Sequence, residues 1–252
     1  MSRPARGPQS AGAPLSPAAR RPAHLGLALA IALLPLAPGC ASDLPALSFG
    51  STTPRHRQDL ALGGAIRVGL GALREPIGAG SEVVAPLAGV RIGLARHLDL
   101  GLMVVGATAR LALHRELVLE EASTRHGLLL GVAPYAGWLP DPEGGDGAGR
   151  MGLDLPATYA LEIAGLAELW AGARLGLEWR RGQLAWAGSV APGRAWILRA
   201  GVVAGAALGF RRLHAGIELS IGWEQQLRER GGASESIGGV VLTPAFVLRL
   251  RL

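Results

Sequence analysis

RIGLARHLDLGLMV, residues 91–104, contains two short runs of alternating side chains separated by residues 95–97. Ile92 and Leu94 alternate with Arg91 and Gly93, and successive side chains of a strand point to opposite faces. The stretch therefore predicts two strands joined by a very short turn. Similar stretches recur at residues 162–172 and 207–220. These three tight turns predict that residues 58–252 form an up-and-down antiparallel barrel.

The two faces of the predicted strands differ in chemistry. The alternation is cleanest in residues 213–224, where one face carries Leu213, Ala215, Ile217, Leu219, Ile221 and Trp223. The other face carries His214, Gly216, Glu218, Ser220, Gly222 and Glu224. A soluble sandwich presents a wet face rich in Lys, Glu, Thr and Ser, whereas here the second face is mainly Gly and Ala with scattered charges. Small residues inside and branched aliphatic residues outside are typical of a barrel in lipid.

Charged side chains fix the register of the strands, because an arginine on the lipid face at the bilayer midplane costs about 2–4 kcal/mol. We therefore expect the strand charges to point into the lumen. The principal candidates are Arg67, Arg91, Glu162, Arg174, Glu178, Arg199 and Glu218, accompanied by Arg110, Glu116, Glu224 and Arg249. Both signs are present, so two interpretations remain open: a structural network of ion pairs that fills the barrel, or a polar pathway for a small solute.

Counting the alternating segments predicts ten strands. An even number brings both chain ends to one side of the membrane, as in bacterial barrels. We expect short periplasmic turns near residues 95–97, 120–126, 165–167 and 211–212. The predicted extracellular loops are longer, near residues 73–82, 139–152, 180–194 and 225–237, and the connection near residue 107 is unusually short for that side. Four tryptophans fall at the extracellular ends of their strands and predict an aromatic girdle: Trp138, Trp179, Trp196 and Trp223.

Some residues do not fit this pattern. Pro86, Pro134 and Pro244 fall within predicted strands, where each removes a ladder hydrogen bond. Arg115 falls on the apolar face of its strand, and the chain ends in Leu252 where barrels of this kind commonly end in an aromatic residue.

The first forty residues have the pattern of an export signal. Arginine-rich residues precede LGLALAIALL (25–34), an apolar run too short to span a bilayer as a helix. The run ends in LAPGC, whose Cys40 is the only cysteine of the chain. This resembles a bacterial lipoprotein signal and implies lipidation of Cys40; the alternative is ordinary signal cleavage with an incidental thiol. We therefore predict a signal peptide at 1–39, a lipid-anchored tether at 40–57 and the barrel at 58–252.

Composition and motifs exclude several other classes. The chain has 25 basic residues, all arginine, of which four precede Cys40 and 21 follow it, against 19 acidic residues. This near balance argues against nucleic-acid binding. GAGRMG (147–152) lacks the strand and helix of a dinucleotide site, and Asp141, Glu143 and Asp146 lack calcium-loop spacing. The six histidines do not converge as the ten-stranded outer-membrane proteases require. We therefore predict no enzyme activity, no cofactor and no metal.

RxGLxxxLDLGL (91–102), GLLLGVAPYAGW (127–138) and the alternating final strand resemble outer-membrane β-barrels of the porin-like superfamily. The resemblance implies an outer-membrane location in a Gram-negative bacterium and contact with outer-membrane lipid. It carries no catalytic residues. The expected function is a structural or surface-interaction barrel with a largely side-chain-filled lumen, which contacts an envelope component. The alternatives are a narrow channel for small solutes and a soluble periplasmic β-rich lipoprotein.

Overall fold

The structure is a computed structural model that describes Pro45 and residues 51–73, 84–121, 124–139, 147–186, 189–210 and 212–252. Within these ranges no helix is long and apolar enough to cross a membrane. A 3-10 turn spans Gly71–Leu73. The strands are β1 (Gln58–Ala65), β2 (Val68–Gly69), β3 (Ala85–Ala95), β4 (Leu98–Val105), β5 (Thr108–Glu121), β6 (Thr124–Leu139), β7 (Ala148–Ile163), β8 (Ala167–Trp186), β9 (Ser189–Phe210), β10 (Leu213–Arg230) and β11 (Ala233–Arg251).

The strands form one antiparallel sheet that closes on itself. β3 to β11 pair in chain order, and β1 pairs with both β3 and β11. β2 continues the line of β1 along β11, where Val68 lies opposite Leu242. β1 and β2 are thus two parts of one strand of the wall, which gives a ten-stranded barrel. The predicted up-and-down antiparallel barrel of about ten strands is confirmed.

The barrel has two distinct ends. β1 begins and β11 ends at the end that also carries the turns at residues 96–97 and 164–166; we call this the terminus end. At the opposite end, the hairpin end, the β8–β9 and β10–β11 hairpins are long, and β9 also pairs with β10 as far as Arg194 opposite Glu229. The predicted turn near 95–97 is confirmed by the β3–β4 hairpin.

The predicted loops at 180–194 and 225–237 are wrong, because most of their residues are paired strand. Pairing in the β10–β11 hairpin continues to Arg230 opposite Ala233. Only Gly231 and Gly232 turn the chain, with φ angles of 55° and 85°. Two successive residues with positive φ are the requirement of a two-residue type I′ hairpin turn. A polar composition had indicated a loop, although the side chains continue to alternate.

Two of the three prolines, Pro134 and Pro244, coincide with interruptions of the strand ladder, whereas Pro86 lies in register opposite Gly64. The β5–β6 register passes from Arg110–Tyr135 to Leu113–Val132 and omits the residues opposite Pro134. Pro244 lies where β1 ends and the wall strand breaks before β2, and its carbonyl accepts a bond from the Ile66 amide at 2.9 Å. A proline has no N–H to donate, so ladder breaks at these positions are expected.

Exposure alternates along the long strands and separates an apolar exterior from a polar interior. In β10 the predicted apolar face is exposed, with Ile217 at 67% and Trp223 at 53%, while Glu218 and Glu224 are buried. Trp138 and Trp196 are also about half exposed on the outer face, at 50% and 47%. The outer surface of the barrel is therefore hydrophobic over most of its described height.

Candidate functional site: the barrel lumen

Charged side chains fill the interior of the barrel, and the structure places the predicted lumen charges there. Four of the seven principal candidates are buried: Arg67, Arg91, Glu178 and Glu218. The side chains of Glu162, Arg174 and Arg199 are 15%, 12% and 14% exposed and make ion pairs with other inward residues.

The largest set of contacts joins five parts of the wall toward the hairpin end. Arg199 on β9 donates to Glu178 on β8 at 2.9 Å and to Glu224 on β10 at 2.7 Å. Arg67, between β1 and β2, donates to Glu224 at 3.0 Å. Tyr135 on β6 donates its hydroxyl to Glu178 at 2.7 Å. Together these bonds link β6 through β8, β9 and β10 to the wall strand of β1 and β2, so they occupy the lumen and connect strands that are not neighbours in the wall.

A second set lies near mid-height. Asp154 on β7 accepts a bond from Arg174 on β8 at 2.6 Å and lies 3.9 Å from the Arg110 guanidinium. Nearby, the Trp170 indole donates to Glu218 at 3.0 Å. Trp170 is 3% exposed, so this tryptophan belongs to the lumen and not to the exterior girdle.

A third set joins the closing strand to β8 at the terminus end. Glu168 pairs with both Arg249 and Arg251 of β11. Arg251 also lies 3.3 Å from Glu162 of β7. The last strand, β11, is therefore held by these ion pairs in the lumen as well as by its backbone hydrogen bonds to β1 and β10.

The segment before β1 enters the lumen at the terminus end. Thr52 and Thr53 are 4% and 1% exposed. The Thr53 amide donates to Asp99 at 2.8 Å and its hydroxyl to Asp59 at 3.1 Å. The Thr52 amide and hydroxyl both donate to Glu116, at 3.1 and 2.6 Å. Three inward carboxylates of β1, β4 and β5 thus bind two consecutive threonines.

Basic groups on the wall complete this contact. Arg91 donates to Asp99 at 2.5 Å and to the Ser51 carbonyl at 3.3 Å, and Arg125 donates to Glu116 at 2.7 Å. Farther from the terminus end, Arg110 donates to the carbonyl of Pro45, a buried residue, at 2.6 Å. Pro45 and Ser51–Thr53 belong to the predicted tether 40–57. Cys40 and the predicted signal peptide lie outside the described residues.

Gly93, in the RIGLARHLDLGLMV stretch of residues 91–104, makes room for this segment. A Cβ on Gly93 would overlap the backbone carbonyls of Thr53 and Pro54. The Gly93 carbonyl accepts a bond from the His56 amide at 3.1 Å, and its amide donates to Arg57 at 3.1 Å. The glycine is therefore needed because a second chain segment approaches the strand.

The sequence-based assignment missed several lumen residues. Asp99 and Asp154 each lie between two leucines in the strand alternation, as do other inward residues, so the same period-two signal would identify them. Arg180 and Arg228 were missed because residues 180–194 and 225–237 were predicted as loops. Both are buried, as is Arg150 on β7.

Between the described residues, the side chains of the lumen leave little room for a solute. Two cavities between inward side chains, one beside Arg91 and His114 and one beside Arg199 and Ser220, measure about 40 Å³ each. One water molecule takes up about 30 Å³ in the liquid. No group of three or more His, Cys, Asp or Glu in the described ranges has the geometry of a metal site. The carboxylates of residues 140–146 lie outside those ranges.

The five described histidines lie toward the terminus end. His97 lies in the β3–β4 turn and His126 is the third residue of β6. His214 is the second residue of β10, and its Nε2 lies 3.1 Å from the Gly165 carbonyl. His114 is buried, with Nδ1 2.9 Å from Asp99. His56 precedes β1 and is exposed.

These features define a closed barrel with an apolar exterior and an ion-paired lumen. No protein-family model matches the chain, and no curated protein does. Solved outer-membrane barrels show limited structural similarity. Neisserial surface protein A is 12% identical, with a TM-score of 0.30 over 78% of this chain and 95% of that one. The Escherichia coli outer-membrane protease OmpT is 12% identical, with a TM-score of 0.40 over 82% and 99%. The monoaromatic hydrocarbon channel CymD is 11% identical, with a TM-score of 0.23 over 79% and 89%.

Proposed function

We propose that this chain is an outer-membrane β-barrel of structural or surface-interaction type, with a lumen closed by its own residues. The observation that carries the proposal is the lumen itself: ion pairs such as Arg67–Glu224 and Arg251–Glu162 join strands that are not neighbours, and Thr52 and Thr53 bind three inward carboxylates at the terminus end. The proposal includes no catalytic role, cofactor or metal.

The exterior supports a location in lipid. Leucines, valines and isoleucines on the outer face are commonly 40–70% exposed, from Leu62 on β1 to Leu248 on β11. A soluble protein rarely exposes a contiguous apolar patch larger than a few hundred Å². A barrel that spans a Gram-negative outer membrane buries this surface in acyl chains, and outer-membrane lipid is then its first partner. A soluble periplasmic lipoprotein would leave the surface in water.

Conductance across a planar bilayer tests the closed lumen. We expect the refolded full-length chain to insert without discrete openings, because ions would have to separate the Arg199, Glu178 and Glu224 pairs. Discrete openings in the unmodified protein, blocked by a small solute, would support the narrow-channel alternative and contradict the closed barrel.

The anchor is a separate part of the proposal. We propose that Cys40 is lipidated after removal of residues 1–39. Growth with labelled palmitate tests this: the label is expected on the unmodified chain and absent from Cys40→Ala. A labelled Cys40→Ala chain would contradict lipidation at Cys40 and leave the barrel proposal standing.

The hairpins are the part best placed to contact an envelope component, because they project beyond the girdle tryptophans. β8 continues seven residues past Trp179, to Trp186, and β10 seven residues past Trp223, to Arg230.

A further inference from the structure

Two arginines lie side by side on the outer face of the β8–β9 hairpin. Arg181 is directly opposite Arg194 in the register, and one pleat nearer the barrel Trp179 is directly opposite Trp196. All four side chains lie on the outward row of their strands, and both arginines are exposed. The hairpin therefore presents a pair of cations next to a pair of indoles.

This pair carries an excess of positive charge. Like charges directly opposite each other on antiparallel strands repel. Glu229 on β10 offsets one of the two positive charges, because it forms an ion pair with Arg194 at 2.5 Å. Among the residues that the structure describes, none forms a hydrogen bond or ion pair with the guanidinium group of Arg181, whose backbone belongs to the β7–β8–β9 sheet.

The arginines line an open groove between the two hairpins. Its volume is about 650 Å³, and its walls include Trp179, Arg181, Arg194, Arg230 and the Gly231–Gly232 turn. A groove of this size accommodates a polar headgroup, and Trp179 of the girdle lines it together with the arginines.

The position of the two arginines along their strands, relative to the tryptophans, indicates which kind of anion they meet. Below the tryptophans the outward row continues with Leu177 and Leu198, which are 47% and 59% exposed. The arginines lie two residues beyond the tryptophans, about 7 Å along the strand. Aromatic girdles mark the boundary between acyl chains and headgroups, so the guanidinium groups lie at headgroup height.

We propose that Arg181 and Arg194 bind the phosphate of an anionic lipid whose acyl chains lie against Trp179, Trp196 and the leucines below. Guanidinium groups bind phosphate oxygens through paired charge-assisted hydrogen bonds. We assign the phosphate to a lipid and not to a free ion, because the cations adjoin an apolar surface that extends toward the membrane centre. The proposal rests on the membrane location proposed above.

Native mass spectrometry of the refolded chain in detergent tests the site, with phosphatidic acid as probe and phosphatidylcholine of matched chains as the zwitterionic comparison. We expect phosphatidic acid to be retained preferentially. We expect the Arg181→Gln/Arg194→Gln variant to bind it about tenfold more weakly or worse. The control is Arg115→Gln/Arg212→Gln, which removes two exposed arginines near the terminus end and is expected to bind like the parent.

Three results would overturn the lipid site: equal retention of both lipids, equal loss in the control, or full displacement by millimolar inorganic phosphate, which would make it a free-phosphate site. Each variant is first checked for the heat-modifiable gel mobility of a folded barrel. Flotation of the parent chain with outer membranes tests the location independently: a parent chain that floats normally but retains both lipids equally rejects this site alone.

Discussion

Glu178 and Glu229 both bind an arginine, yet only one of them is in the lumen. Glu178 is 1% exposed and accepts bonds from Arg199, Arg180 and Tyr135. Glu229 is 35% exposed and pairs with Arg194, which is 64% exposed. Removing one partner of a buried pair leaves an uncompensated charge, whereas an exposed pair contributes little.

We therefore expect Glu178→Gln to lower the free energy of unfolding by about 3 kcal/mol or more, because Arg180 and Arg199 lose their shared carboxylate. Glu229→Gln is the matched control and is expected to cost less than about 1 kcal/mol. Urea unfolding in lipid vesicles, followed by tryptophan fluorescence, measures both. Equal stabilities of the two variants would contradict a structural role for the lumen network.

Gly93 allows a second prediction at the level of one residue. In Gly93→Ala the new methyl group overlaps the carbonyls of Thr53 and Pro54. We expect the segment before β1 to leave the wall and its amides to exchange hydrogen roughly tenfold faster, because charge-assisted bonds are lost. Hydrogen exchange of residues 51–57 measures this. The control Gly149→Ala places a methyl at an ordinary 3.6 Å contact; unchanged exchange in Gly93→Ala would contradict the packing at Gly93.

At the scale of the elements, strand type was predictable and strand length was not. The alternation in residues 213–224 predicted the half of β10 that has an apolar outer face. The same alternation continues through Gln226 and Arg228, which are buried, but charged and polar residues on both faces hid it. In the proposed membrane location, the part of a strand that extends beyond the lipid needs no apolar face. Hydropathy would then identify only the part within the lipid, although the β10–β11 ladder continues to Arg230 opposite Ala233.

Substitutions in the turn at Gly231–Gly232 test the extended β10–β11 hairpin. A Cβ added to either glycine would have no heavy atom of the protein within 4 Å, so a substitution there costs only backbone strain. A non-glycine residue in the left-handed region costs about 1–2 kcal/mol. We expect Gly232→Ala to raise hydrogen exchange in residues 225–237 roughly fivefold or more and to leave the barrel strands unchanged. Gly231→Asn is the control, because Asn-Gly suits a type I′ turn; equal acceleration in both variants would contradict that turn.

At the scale of the whole molecule, the sequence predicted the closed ten-stranded wall but not what occupies its terminus end. Residues 41–57 were assigned to a tether from Pro, Ser and polar composition. Thr52 and Thr53 nevertheless donate hydrogen bonds to Asp59, Asp99 and Glu116 inside the lumen. Such contacts join residues 6 to 64 positions apart. No local sequence pattern identifies these contacts, because the partners come together only when the barrel closes.

The orientation of the whole molecule gives the last prediction. If the barrel lies in the outer membrane with both chain ends in the periplasm, the hairpin end faces outward and the β9–β10 turn faces inward. Ser234 and Arg212 are exposed at these opposite ends. We expect Ser234→Cys to react with a membrane-impermeant maleimide on intact cells. Arg212→Cys is expected to react only after the outer membrane is permeabilised, and the parent chain with Cys40 supplies the baseline. Labelling of Arg212→Cys alone on intact cells would show that the barrel has the opposite orientation in the membrane. It would also place the Arg181–Arg194 pair in the inner leaflet, where a different set of lipids would reach it.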